Sequence, residues 1–347
     1  MDARELRSFA RILPSLREAA LEPVLAGPIL GRHIACKVAA AGDDSHPTLD
    51  TWLHMADVQE GDTAPVVFEL HGGGFAMGDA RKTDALCEWI RDAFNVHVVG
   101  VNYRLAPEYP WPAALDDVLD VLRWYADRAA EYRMDPRRFI LMGYSAGAQL
   151  ALVGAIESKT IAGYRVSGLA LHYPFFDAST APADKALRDI DLPIDLMEAF
   201  NDWYCGDADR RNPRISPIYS PDTELADLPS VSILPVEGDA MADEGVHMAD
   251  RLRALGVDTH LHMVKHAYHG YIEDAVNPEA YRAANPPEII EARPRNTDRL
   301  AGEMISEALR DVLGTVPKPV PFPWLSEKGQ SSDSTGSTDS DSREASV

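Results

Sequence analysis

Basic side chains are scarce in this 347-residue chain. Lys and Arg number 33 against 55 Asp and Glu, a formal charge of -22. A surface of that sign repels phosphate backbones and anionic lipid, so neither nucleic acid nor a membrane surface is an expected partner. Part of the acidic excess sits near the C-terminal end. Cysteine is scarcer still, limited to Cys36, Cys87 and Cys205. An odd set with no CxxC and no Cys/His cluster supplies neither a disulfide framework nor a ligand set, and no metal is expected. Long apolar runs are missing too. The first twenty residues, MDARELRSFARILPSLREAA, are interrupted by charges and lack the apolar centre of a signal peptide. No stretch is long and apolar enough to span a bilayer. A cytoplasmic location is the default expectation, and homo-oligomerisation is left open.

What the chain does hold is 46% hydrophobic residues, enough for a large core. Leu6, Phe9, Ile12 and Leu16 recur at helical spacing, with Pro14 as a break or kink. From Val66 onward, short apolar runs alternate with amphipathic stretches. VVFEL (66–70), VHVVGVNY (96–103), FILMG (139–143), GLALHY (168–173), VSILPVE (231–237) and THLHMV (259–264) read as strands. Residues 113–132, 146–156, 241–255 and 305–313 read as helical, with Gly256 and Gly314 as stops. This alternation predicts an α/β fold, a mostly parallel sheet covered by helices on both faces.

One apolar, helical stretch, 178–214, interrupts the alternation and carries Phe200, Trp203 and Tyr204. A lid over the carboxyl edge of the sheet is preferred over a plain helical insertion. After Leu325 the chain is rich in Ser, Asp and Gly, has little to bury, and reads as a disordered acidic tail. The expected division is an N-terminal helical segment (1–45), a core in two parts (46–177 and 215–324), the insertion (178–214) and the tail (325–347).

LMGYSAGAQLAL (141–152) places Ser145 on a very short turn from strand to helix. Such a turn crowds the backbone, and Gly143 and Gly147 meet the demand for small neighbours. The hydroxyl then stands at a helix N-terminus, where the dipole favours developing negative charge. Taken alone, the motif is read equally well as a serine capping its helix. HGGGF (71–75), directly after VVFEL, tips the balance. Three glycines in a row cost backbone entropy, and N–H groups presented to an oxyanion would offset it. His71 is expected to brace this loop rather than to move protons.

A serine nucleophile needs a base. His269, in AYHGY just past the last strand, is preferred over His266, and His260 and His262 share the preceding strand. Asp239 follows VSILPVEG at the same sheet edge and is the candidate acid. Asp243 and Glu244 lie deeper on the next helix and are expected to cap or solvate it. The order Ser145, Asp239, His269 is that of the alpha/beta hydrolase triad.

With HGGGF (71–75), YRLAPEYPWPAALDD (103–117), GYSAG (143–147), DAMADEG (239–245) and HGY (269–271), the chain resembles the hormone-sensitive-lipase-like esterases. The resemblance covers residues 66–270. It implies an alpha/beta hydrolase fold with a helical cap, ester hydrolysis through an acyl-enzyme, and an oxyanion hole made by the N–H groups of Gly73, Gly74 and Ala146. A small-molecule ester is the implied partner, and no cofactor is needed. Arg104 and Glu108 look structural. The apolar cap segments suit short acyl chains. The chain departs from the commonest pattern at Tyr144, Ala148, Ala240, Met241 and Ala242, which touches the pocket rather than the catalytic positions. Residues 277–295 look like an extra loop. Amide or acetyl-group hydrolysis on the same triad, or a receptor that only binds, are the other readings.

Overall fold

A computed structural model describes residues 3–37, 48–185, 192–278 and 296–325, with Arg282, Glu291 and Pro294 besides. Among the described residues, eight strands form one sheet: β1 (Arg32–Lys37), β2 (Thr48–His54), β3 (Ala64–Leu70), β4 (His97–Val101), β5 (Met134–Tyr144), β6 (Val166–His172), β7 (Ser230–Leu234) and β8 (Thr259–Leu261). Their spatial order is β1-β2-β4-β3-β5-β6-β7-β8. The pairs β1–β2 and β2–β4 are antiparallel, and every other pair is parallel. The helices described are α1 (Ala3–Leu25), α2 (Asp84–Phe94), α3 (Ala113–Asp127), α4 (Ala129–Tyr132), α5 (Ala146–Ser158), α6 (Ile194–Cys205), α7 (Asp222–Leu225), α8 (Ala242–Ala254), α9 (Tyr271–Val276) and α10 (Thr297–Leu313).

The inner stretches of the central strands are mostly apolar because both faces are covered. Val66, Phe68 and Leu70 of β3 point into the core that holds α3, α5 and α8. Val67, one residue out of phase, points into the core against α2, α9 and α10. The same alternation runs through β5, where Phe139 and Leu141 face one way and Ile140 and Met142 the other. Beyond α10 the chain returns to α2: Lys318 N–H donates to Ala93 O at 2.7 Å, and Trp324 packs edge-on against Trp89.

Several boundaries differ from the sequence reading, each for a local reason. Residues 32–37 are not part of an N-terminal helical segment. They form the edge strand β1, with only Ile34 and Cys36 buried, so their apolar signal is thin. Strand β7 stops at Leu234, because Pro235 has no N–H to continue the ladder, and a single bridge, Val236 to Val264, carries on. Strand β8 is correspondingly short. Residues 113–132 split into α3 and α4 at Arg128. The insertion does hold a helix, α6. Leu13 of α1 joins Ala199, Phe200 and Trp203 of α6 in one apolar cluster with Ala76 and Ala106. Residues 186–191, most of 277–295 and all of 326–347 lie outside the described residues, and so do the extra-loop and tail expectations placed there.

Candidate active site

The last residue of β5 is Tyr144 and the first of α5 is Ala146, so Ser145 alone makes the turn. Its φ of 51° and ψ of -113° put a non-glycine residue in a strained region, at a cost of about 1–3 kcal/mol. Backbone hydrogen bonds hold it there. Ser145 N–H donates to His172 O at 3.0 Å, and Ser145 O accepts from Ala148 N–H at 3.1 Å. The hydroxyl makes no capping bond to α5.

The small neighbours are required by contact. A Cβ on Gly147 would strike the carbonyl of Leu70, and one on Gly143 would strike the backbone of Gly147. The Ser145 turn and the end of β3 are therefore in backbone contact. Gly147→Ala is expected to lower stability by about 1–3 kcal/mol, because a backbone carbonyl cannot rotate away as a side chain would. Urea melts of the variant and the parent would measure it.

The Ser145 hydroxyl donates to His269 Nε2 at 2.9 Å, and His269 Nδ1–H donates to Asp239 Oδ2 at 2.7 Å. The other carboxylate oxygen, Oδ1, accepts Met241 N–H at 3.0 Å. Burial alone would raise the Asp239 carboxyl. The facing imidazole and the Met241 bond outweigh burial and hold it below the ordinary carboxylate range. Three distant segments thus join in one chain of hydrogen bonds. The competing histidines sit elsewhere. His260 lies beside Asp258 and Asp311, His262 bonds to Asp311 at 2.8 Å, and His266 is exposed at a positive φ.

Opposite this chain runs the loop after β3. Gly73 and Gly74 both have positive φ, 116° and 60°. A Cβ on Gly73 would collide with the Met77 carbonyl, and one on Gly74 with the Phe200 ring of α6. Among the described residues, no backbone carbonyl accepts the N–H of Gly73, Gly74 or Ala146, the first residue of α5. His71 braces the loop, as its place in the sequence implies. It stacks on Tyr103 with centroids 4.2 Å apart, and its Nδ1–H donates to Gly72 O at 2.8 Å. Burial pushes its imidazole down to about 4, which leaves it neutral at ordinary pH.

YRLAPE does what the resemblance implied for it. Tyr103 OH donates to His71 O at 2.7 Å, and the Arg104 guanidinium grips Asp117. Glu108 pairs with Arg17 of α1 at 3.0 Å, and Arg17 Nε donates to Ala76 O at 2.7 Å. The first helix is thereby pinned to the glycine loop.

The sequence profile of the alpha/beta hydrolase fold family matches residues 67–273, from the strand before the glycine loop to just past His269. The chain belongs to the alpha/beta hydrolase fold family. This hydrolase is similar to esterase LipI of Mycobacterium tuberculosis, 36% identical over 226 residues, 64% of this chain and 70% of that protein. It is also similar to carboxylesterase NlhH of the same organism, 34% identical over 224 residues, 62% and 69% respectively. Among solved structures it resembles EstE1, a thermostable carboxylesterase cloned from a metagenomic library, with a TM-score of 0.68 and 26% identity. That match covers 86% of this chain and 97% of the other.

Two features of this hydrolase differ from or escape the sequence reading. Glu244 neither caps nor solvates α8. It is buried, accepts the N–H groups of Phe176 and Asp177 at 2.7 and 2.8 Å, and pairs with Lys185 at 2.5 Å, so it ties the start of the insertion to the helix after the acid loop. Its partner lies 59 residues away, which no local pattern reveals. Glu273, four residues after His269, stands against the glycine loop, and no motif marked it. No helix among the described residues is long and apolar enough to cross a membrane.

Proposed function

We propose that this hydrolase is a serine carboxylesterase acting on small, short-chain acyl esters, with Ser145 as nucleophile, His269 as general base and acid, and Asp239 as its orienting carboxylate. Ser145 Oγ attacks the ester carbonyl carbon while its proton passes to His269 Nε2. Electron density from the carbonyl collects on oxygen, where the N–H groups of Gly73, Gly74 and Ala146 would receive it. His269 then protonates the leaving alkoxide, and the alcohol departs. Water, deprotonated by the same imidazole, cleaves the acyl-enzyme and regenerates Ser145. Asp239 stays ionised, so the imidazolium formed in each half-reaction faces a fixed negative charge.

The observation that carries this reading is the unbroken bond chain from Oγ through the imidazole to the carboxylate, on a hydroxyl that does not cap its own helix. The named esterases among its relatives support ester over amide substrates. A fluorophosphonate probe should label one serine, mapped by peptide digestion to Ser145. Labelling of another serine, or of none, would remove the proposal.

Chain length is the finer part. The Phe200 ring covers Gly74, and Tyr204 stacks on Phe75 with centroids 3.6 Å apart, so aromatic side chains of α6 crowd the glycine loop. Across p-nitrophenyl esters, kcat/KM is expected to peak at acetate to hexanoate and to fall by at least ten-fold at palmitate. A steady rise to palmitate would overturn the short-chain assignment. All three cysteines are buried, unpaired thiols, which supports the reducing cytoplasm as the proposed location.

A further inference from the structure

Behind the glycine loop, on the face of the sheet that holds α2, α9 and α10, lies a group of buried polar side chains that the proposed mechanism does not use. Glu69 of β3 is fully buried and donated to by Thr83 Oγ at 3.0 Å. Tyr144, Tyr173 and Tyr271 are buried around it and its neighbour Glu273. Glu273 is the member closest to the reaction. A methyl group added to Gly72 would lie 2.5 Å from Glu273 Oε1 and 3.6 Å from Ser145 Cβ, so Gly72 is flanked by the carboxyl and by Ser145. Its other oxygen accepts the Tyr173 hydroxyl. Tyr173 is itself held at a positive φ of 34° by a backbone bond to Leu234 O, and its ring meets the His269 ring edge to face, centroids 5.1 Å apart and 66° between planes.

We propose that Glu273 is a positioning residue, fixing through Tyr173 the plane of the His269 imidazole and backing Gly72 at the root of the oxyanion loop. It touches no reacting atom. The inference rests on the assignment of Ser145, Asp239 and His269 above. Physically, His269 is anchored at its Cβ and at its two nitrogens, and the Tyr173 ring packed against it limits the tilt that these attachments still allow. The Glu273 carboxyl, accepting the Tyr173 hydroxyl, holds the far end of that ring in place. Small errors in alignment of this kind cost up to about 10²-fold in rate.

The role requires a neutral carboxyl. An anion behind Gly72 would oppose the negative charge that develops on the substrate oxygen in front of it. The surroundings favour neutrality: burial raises the Glu273 carboxyl, and the Tyr173 bond, His269 and Lys82 offset this only in part. The titratable groups facing it are Tyr173 from the exit of β6, Glu69 from β3, Tyr103 from the loop after β4, Tyr144 from β5, Tyr271 from α9, Lys82 from the turn before α2, and His269 from its own loop.

The experiment compares kcat and KM for p-nitrophenyl acetate in the full chain, in Glu273→Gln, Glu273→Ala and Tyr173→Phe, and in the Glu273→Ala/Tyr173→Phe double variant. Thermal melts and fluorophosphonate labelling are run on each. Glu273→Ala is expected to lower kcat by about 10–100-fold with KM changed less than about three-fold. Glu273→Gln, neutral and of the same shape, is expected to restore kcat to within about five-fold of the parent and to extend its plateau to higher pH. Tyr173→Phe is expected to lower kcat, and the double variant to lose no more than the worse single one, as residues acting through one contact do. Full activity in Glu273→Ala, equal losses in the Gln and Ala variants, or strictly multiplicative losses in the double variant would overturn the inference. If the parent itself fails to label at Ser145, the failure belongs to the triad assignment. If the parent labels and turns over normally while Glu273→Ala matches it, only the role of Glu273 falls.

Discussion

Ser145→Ala is expected to lower kcat on p-nitrophenyl acetate by roughly 10⁴–10⁶-fold while leaving the fold and KM nearly unchanged. The size follows from the chemistry. Without Oγ there is no acyl-enzyme, and water must attack the bound ester directly, aided only by the oxyanion donors and by binding, which together leave about 10³–10⁴ of acceleration over water. The silence of the fold follows from the geometry. The backbone bonds that hold this residue in its strained turn run to His172, Ala148, Gln149 and Phe175, and the hydroxyl makes none toward the helix. Alanine bears the positive φ no worse than serine does, and its Cβ occupies the same space. Steady-state kinetics with a melt of each protein would test both halves. Turnover within ten-fold of the parent would dismiss Ser145 as nucleophile. A large drop in melting temperature would show instead that the hydroxyl holds the turn.

Asp239→Asn should cost about 10⁴-fold in kcat, with little change in KM. An amide is nearly isosteric, so the loss is one of charge and of tautomer. Asp239 Oδ2 obliges His269 to keep its proton on Nδ1 and to present a lone pair from Nε2 to Ser145. Asparagine can offer its NH₂ to Nδ1 instead, which moves the proton to Nε2 and leaves the base with nothing to accept. The charge also matters to stability, with a definite sign. Because the folded-state carboxyl is held below its ordinary range, its contribution is complete above the unfolded value of about 3.9 and is lost as the pH falls through the lower folded value. The parent should therefore lose stability in strong acid by a component missing from the variant. Acid titrations of the two melting temperatures would reveal it, and parallel curves would refute it.

Much of this architecture was legible because its signals are local. The buried parts of β3, β5 and β6 are short, mostly apolar runs, and sidedness could be assigned once both faces were known to be covered. The glycines at 73, 74, 143 and 147 were legible for a different reason: each sits where a backbone, or the ring of Phe200, leaves no room for a Cβ. Elements without a local signature escaped. Strand β1 alternates exposed and buried residues over RHIACK and buries only two apolar side chains. The ends of β7 and β8 depend on Pro235 breaking a ladder whose partner strand is itself short. Glu244 and Glu273 are acidic residues on helices, where solvation is the ordinary expectation. Their burial depends on Lys185 and Tyr173, which are 59 and 100 residues distant in the chain. Local patterns carry no information about such partners, and both residues departed from the solvated default for that reason.

The hydroxyl and the imidazole lie 124 residues apart, and the carboxylate comes from a third segment 30 residues before the imidazole. Each is delivered by the exit of a different strand, so a fragment ending before the eighth strand would lack the proposed base. On the proposed assignment, a ribosome-bound chain of this sequence is expected to stay inert until residue 269 has emerged. In refolding from denaturant, recovery of turnover should accordingly trail the far-ultraviolet signal of the helices, since closing such long loops is the slow step in proteins rich in distant pairings.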